Sequence, residues 1–215
     1  MKNIIFVAPP AAGKGTVSNY LTDKYGYIHI STGDLLRDAR NNNDEMAKTI
    51  TELMDSGKLV SDEIVLELLK RCIDNMDKSK NFILDGFPRN IAQANTLNDL
   101  FNEIGISDYA VIYLDIDFDE ALKRTLGRIT CPNCKKGYNK FSTELKPKQE
   151  GICDNCGSTL ITRSDDSEET FKIRFDNYMN ETKPVLDYYK DKEKLVTISA
   201  KQDINIICEE IERII

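Results

Sequence analysis

Apolar runs and helical periodicities alternate along most of this chain. "KNIIFVA" (2–8) is continuously apolar, the pattern of a strand covered on both faces. "GTVSNYLTDKYG" then carries a helical period, and "YIHI" is a short strand. Ser31, Thr32, Gly33 and Asp34 form an S-x-x-D capping signal that predicts a further helix. Residues 44–56 and 61–76 predict two more helices, separated by "SGKLVS". Buried strands are predicted at "NFILDGFP" (81–88), "YAVIYLD" (109–115) and "KLVTIS" (194–199), and "DINIICEEIERII" closes the chain as a helix. Such alternation predicts an α/β protein with a parallel sheet between helical layers. Residues 129–165 break the pattern with four cysteines, several glycines and two prolines, and are read as a small inserted subdomain. No internal repeat and no low-complexity segment is found.

A chain of 215 residues can bury one good core and carry such an insertion. The apolar run near the N-terminus, Ile4 to Ala8, is too short for a signal peptide, and no run is long enough to span a bilayer. A cytoplasmic protein is expected. The net charge of −7 argues against a general nucleic-acid or anionic-membrane surface. Nine arginines stand out within that acidic total. Composition alone favours scattered surface charge, although one phosphate-rich cleft could also gather them.

Cys131-Pro132-Asn133-Cys134 and Cys153-Asp154-Asn155-Cys156 form a C-x2-C…C-x2-C set with 18 residues between the pairs. Each knuckle presents two thiolates to one ion, so a tetrahedral Zn2+ site is expected. A disulfide pair is the alternative, and the missing secretion signal disfavours it. Four protein ligands leave no open position, which makes the metal structural. Cys72 and Cys208 are expected to be buried, inert thiols, and the lone His29 a structural residue.

Gly13-Lys14-Gly15-Thr16 follows the first strand and opens a helix, as in a phosphate-binding loop. There a lysine ammonium and successive amides meet the phosphates, a placement open to Lys14 and the amides of Ala12 to Thr16. The preceding Ala8-Pro9-Pro10-Ala11-Ala12 contains no glycine, and the hydroxyl expected right after the lysine is displaced to Thr16.

With those departures the loop resembles that of adenylate kinase and its nucleoside-monophosphate kinase relatives, usually G-x-P-G-x-G-K-G-T. Two family glycines are alanine here, Ala8 and Ala11. These are expected to keep negative φ or accept modest strain, while Pro9-Pro10 stiffens the turn. The resemblance runs along nearly the whole chain. "ISTGDLLR" resembles the monophosphate-binding segment, which implies Thr32 near the acceptor base and Arg37 on its phosphate. "SGKLVSDE" resembles the backbone clamp on the acceptor adenosine, implying Lys58, Leu59 and Val60. In "FILDGFPRNIAQA" the resemblance gives Asp85 the magnesium waters, Gly86 and Arg89 the acceptor, and Gln93 the adenine edge. It assigns Arg124 and Arg128 of "RTLGR" and Tyr138 to the donor nucleotide. Arg163 and Arg174 are implied on the phosphates, Asp165 and Asp166 at a lid hinge, and Gln202 near the donor adenine. Six arginines thereby fall on family phosphate positions, which replaces the scattered-charge reading. Arg40, Arg71 and Arg213 are left as solvated helix faces.

The cysteines match the zinc-bearing, long-lid form of the family. The implied fold is a P-loop three-layer α/β fold, with a parallel five-stranded sheet flanked by helices and an inserted zinc-binding lid. Its implied parts are a core (1–30, 61–126 and 165–215), a monophosphate-binding segment (31–60) and the lid (127–164). The implied reaction is Mg-ATP + AMP ⇌ 2 ADP, by a monomer with Mg2+ on the nucleotide, structural Zn2+ in the lid, and no nucleic-acid or membrane partner. A kinase of different base preference, an inactive nucleotide-binding regulator and a zinc-ribbon interaction module are the alternatives.

Overall fold

A computed structural model describes residues 1–42 and 44–215. Five strands build one parallel sheet: β1 (Asn3–Val7), β2 (Ile28–Ser31), β3 (Phe82–Asp85), β4 (Tyr109–Asp115) and, last in the chain, β7 (Leu195–Ser199). Their spatial order is β2-β3-β1-β4-β7. Side-chain alternation decides which residue meets which helical layer. Ile5, Val7, Leu84 and Val111 face one apolar cluster, and Ile4, Phe6, Ile83 and Ile112 the other. Both faces being covered explains why the strands read as unbroken apolar runs.

The helices are α1 (Lys14–Tyr25), α2 (Thr32–Ala39), α3 (Glu45–Asp55), α4 (Asp62–Asn75), α5 (Ile91–Glu103), α6 (Phe118–Gly127), α7 (Glu168–Asn177), α8 (Pro184–Asp191) and α9 (Ile204–Glu212). The predicted cap on α2 forms, since Ser31 Oγ accepts from the Asp34 amide at 3.2 Å. Asn90, Asp117 and Ser167 cap α5, α6 and α7 in the same way. Between α7 and α8 lies a π-helical turn, Tyr178–Thr182, closed by the Lys183 amide donating to the Tyr178 carbonyl at 2.8 Å.

The cysteine-bearing insertion folds around an antiparallel pair, β5 (Arg128–Thr130) and β6 (Gly137–Asn139). Its own small core comprises Ile129, Cys131, Tyr138, Cys153 and Leu160. Five residues are too few to hold such a unit unaided, so a cross-link through the thiols fits its size.

Three local expectations change. Cys72 is half-buried rather than enclosed, whereas Cys208 is buried. Arg40 is not simply solvated: its guanidinium donates to Asp55 at 3.0 and 3.2 Å, because α2 and the end of α3 lie side by side. His29 is placed in the cleft beside Asp85, a consequence of strand order that its position in sequence does not reveal.

Candidate active site

Gly13 has φ 95 and ends the loop after β1; α1 then starts with no side chain capping its first amides. An uncapped helix N-terminus leaves N–H groups and the positive end of the helix dipole for an anion. Lys14 folds back over this loop, donating to the Pro9 carbonyl at 3.3 Å and lying 3.8 Å from Asp85 Oδ1. The ammonium is therefore turned into the cradle. Ala11 takes φ 59, the left-handed region that glycine ordinarily supplies, while Ala8 stays at negative φ. Of the two replaced glycines, only one position carries strain.

Asp85 ends β3, and register explains its surroundings. Ser31 of β2 pairs with Asp85, so His29, two residues earlier on the same face, brings Nε2 within 3.6 Å of Asp85 Oδ2. Burial would raise the Asp85 carboxyl, but Lys14 and His29 outweigh it and hold the group down to about 2. Burial lowers the Lys14 ammonium, with Asp85 opposing and Arg89, Arg174 and Arg128 reinforcing the shift.

Arg89, Arg128, Arg163 and Arg174 converge on the same cleft of about 650 Å³, which Arg37 and Arg124 also line. Burial and mutual repulsion bring Arg163 and Arg174 down to about 10 and lower Arg89 as well. Carboxylates orient part of this charge. Arg128 pairs bidentately with Asp166, with Nε 2.8 Å from Oδ2; burial disfavours its charge, yet Asp166 prevails and raises it. Arg174 donates to Asp165 at 2.8 Å, Arg37 to Asp34 at 2.7 Å and Arg124 to Glu120 at 2.8 Å. The surviving excess of buried positive charge favours a polyanion.

The second half of the cleft is shaped by backbone. Lys58, Leu59 and Val60 line it from the α3–α4 connection, and Gly86, Pro88 and Arg89 from the β3–α5 connection. Gly86 has φ 88, and a Cβ there would lie 2.5 Å from Thr32 Oγ1, so both conformation and space demand glycine. Thr32 is buried just behind, donating to the Asp85 carbonyl at 3.3 Å. Arg89 is held from three sides. Its amide donates to Gln93 Oε1 at 2.6 Å, its Nε to the Gly86 carbonyl at 2.8 Å, and its carbonyl accepts from Thr182 Oγ1 at 2.9 Å. Thr182 and Asn177, which donates to the Gly57 carbonyl at 3.1 Å, are positioning groups that the sequence alone did not suggest. Nothing local marks them, because both act across long sequence separations.

Around the loop and the insertion, Ala12, Gly13, Gly15, Thr16, Tyr138 and Gln202 line the cleft with Arg124 and Arg128. Tyr138 is committed to the insertion as well, its hydroxyl accepting from the Asp154 amide at 2.8 Å. Gln93 does not line the cleft and is buried behind the Arg89 loop.

The sulfurs of Cys131, Cys134, Cys153 and Cys156 all lie within 4.8 Å of one another, two pairs at 3.4 and 3.5 Å. A tetrahedron with metal–sulfur bonds of about 2.3 Å has edges of about 3.8 Å, so the donor set fits one thiophilic ion.

Residues 6–194 match the family model described as adenylate kinase. The chain belongs to the adenylate kinase family. It is 41% identical to an adenylate kinase of Archaeoglobus fulgidus over 213 residues, 99% of this chain and 97% of that protein. Against that of Thermosipho africanus the identity is 39% over 213 residues, 99% of each. Against that of Treponema denticola it is 42% over 200 residues, 93% of this chain and 92% of the relative. The adenylate kinase resemblance thus covers the loop, both halves of the cleft and the cysteine-bearing insertion.

Proposed function

We propose that this adenylate kinase family member transfers the terminal phosphoryl group reversibly from Mg-ATP to AMP, giving two ADP. The observation that carries the proposal is the convergence of Lys14, Arg89, Arg128, Arg163 and Arg174 on one cleft with two differently built halves. Two polyanions repel each other, and in-line transfer asks for positioning and charge neutralisation more than for covalent chemistry. Lys14 and the amides of Ala12 to Thr16 hold the donor phosphates, with Arg124 and Arg128 beside them and Tyr138 and Gln202 towards the donor nucleoside. Arg37 and Arg89 take the acceptor phosphate. Gly86 and the 58–60 clamp surround the acceptor nucleoside, Thr32 and Gln93 lie buried behind them on the side of its base, and Arg163 and Arg174 bridge the transferring group. Despite its burial, Lys14 and His29 hold the Asp85 carboxyl well below the usual carboxylate range, which suits a group that holds a divalent ion through its waters. Bound Mg2+ would neutralise charge on the donor phosphates.

In this reading residues 127–164 are a lid, residues 31–60 a monophosphate-binding segment, and the remainder the core. Closure of both over the substrates excludes water, which would otherwise compete as acceptor. Cys131, Cys134, Cys153 and Cys156 would hold Zn2+, which would keep the lid a rigid body. We assign the protein to the cytoplasm as a monomer acting on ATP, AMP and ADP, with neither nucleic acid nor membrane as a partner. No helix among the described residues is long and apolar enough to cross a membrane. The test is nucleoside-diphosphate formation by the purified protein with Mg2+, ATP and GTP as donors, and AMP, GMP, CMP and UMP as acceptors. ATP with AMP is expected to give the highest kcat/KM. Absence of ADP formation from ATP with AMP refutes the assignment.

A further inference from the structure

Gln93 is held by two partners whose polarity admits no ambiguity. Its Oε1 accepts from the Arg89 backbone amide at 2.6 Å, and its Nε2 donates to Asp62 Oδ1 at 2.6 Å. A backbone N–H only donates, and an ionised carboxylate only accepts. The side-chain amide of a glutamine is ordinarily free to exchange oxygen for nitrogen by a half-turn. Here that turn would set an N–H against an N–H and an oxygen against a carboxylate.

The constraint closes into a ring. Gln93's own backbone amide donates to Asn90 Oδ1 at 2.8 Å, and Asn90 Nδ2 reaches the second Asp62 oxygen at 3.3 Å. Asn90 is therefore fixed in the same sense as Gln93, and Asp62 accepts from both. This ring spans the two connections that line the acceptor half of the cleft, since Asp62 follows the 58–60 clamp and Arg89 belongs to the opposite loop. Gln93 itself is 4% exposed, so its amide has little water to turn to, whereas the Asp62 carboxylate is open to solvent.

The geometry points to Asp62 as a specificity-determining residue that locks the Gln93 amide in the orientation matching adenine. The inference rests on the reading of Gln93 at the acceptor's adenine edge. It therefore requires the acceptor segment to shift on binding and uncover the amide, which lies buried behind the Arg89 loop in this structure. An amide oxygen has two acceptor sites and an amide nitrogen two hydrogens, so each locked atom keeps one valence. Adenine offers an amino donor next to a ring-nitrogen acceptor, which the locked amide complements with oxygen and N–H respectively. Cytosine presents the same donor–acceptor order on its pairing edge. Guanine and uracil present the reverse, a carbonyl acceptor next to a ring N–H, and would need the flipped amide. Asp62 acts through Gln93 without touching substrate, and so is a positioning residue. It is exposed at the start of α4, where a change to asparagine keeps shape and leaves the core untouched.

The test compares acceptors in the wild-type protein, Asp62→Asn and Gln93→Leu, each with saturating Mg-ATP. Asparagine can either donate or accept, so in Asp62→Asn one side of the lock no longer penalises the flip. Loss of one charge-assisted hydrogen bond should lower both the AMP:GMP and the CMP:UMP ratios of kcat/KM by about tenfold, with KM for ATP unchanged. Gln93→Leu should collapse both ratios further. If Asp62→Asn lowers kcat/KM for all four acceptors equally, or leaves both ratios unchanged while Gln93→Leu collapses them, the lock is refuted and the base-reading role of Gln93 stands. If Gln93→Leu leaves the ratios untouched, the base-reading premise falls, and the proposal falls with it.

Discussion

Replacing Ala11 by glycine is expected to stabilise the protein, and replacing Ala8 by glycine to destabilise it. Ala11 sits at φ 59, where its Cβ crowds the backbone at a cost of about 1–2 kcal/mol. Glycine removes that strain but also gives the unfolded chain more freedom, returning about 0.4–1 kcal/mol. The difference leaves Ala11→Gly more stable by roughly 0.5–1 kcal/mol. In a domain of this size each kcal/mol moves Tm by about 2–4 °C, so a rise of about 2–3 °C is expected. Ala8 follows β1 at negative φ, with no strain to relieve. There glycine brings only the entropic cost, about 0.5–1 kcal/mol, and Tm should fall by about 2 °C. Thermal and urea unfolding of both variants beside the wild type gives the answer, with an unchanged m-value as the check that only stability moved. Equal signs for the two variants, or a lower Tm for Ala11→Gly, would refute the assignment of strain to position 11 alone.

Chelating the metal should expose the insertion to proteolysis between residues 131 and 160 and lower thermal stability, while the helix and sheet signal of the core persists. A metal-free protein that keeps full protease resistance and thermal stability would disprove the structural role. Asp85→Asn should destabilise the protein at pH 7. A carboxylate whose folded pKa is lowered, here to about 2, contributes stability that is complete above its unfolded value and is lost as pH falls towards 2. The contribution is on the order of 1–2 kcal/mol, since burial of the partner Lys14 offsets part of the gain. Urea unfolding should therefore show the gap between wild type and variant closing between pH 4 and pH 2; a gap independent of pH contradicts the ion pairing. Thr182→Val keeps shape but leaves the half-buried Arg89 carbonyl without its donor, a loss of about 1 kcal/mol. KM for AMP should rise several-fold with KM for ATP unchanged, and Thr182→Ser should restore it; equal effects on both substrates would point to general loosening.

Much of the fold was legible because its signals are local. Unbroken apolar runs marked the strands of a sheet covered on both faces, and Ser31 and the glycine–lysine turn marked helix starts that the structure places at Thr32 and Lys14. The cysteine spacing marked a cross-linked insertion, and the structure brings its four sulfurs together. These readings need only neighbouring residues, whose propensities and spacings act within a turn or a strand.

What only the tertiary structure decided depends on partners far apart in the chain. Strand order puts β2 beside β3, and that neighbour relation alone brings His29 to Asp85. The π-helical turn shifts the register of its helix and leaves Thr182 on the Arg89 carbonyl, 93 residues away. Asp62 and Gln93, 31 residues apart, fix an amide orientation that neither residue's identity reveals. Local sequence thus determined which elements form and which chemistry they carry. Long-range packing decided which donor meets which acceptor, because hydrogen-bond polarity and buried charge are set by the atoms that the completed fold brings within about 3 Å.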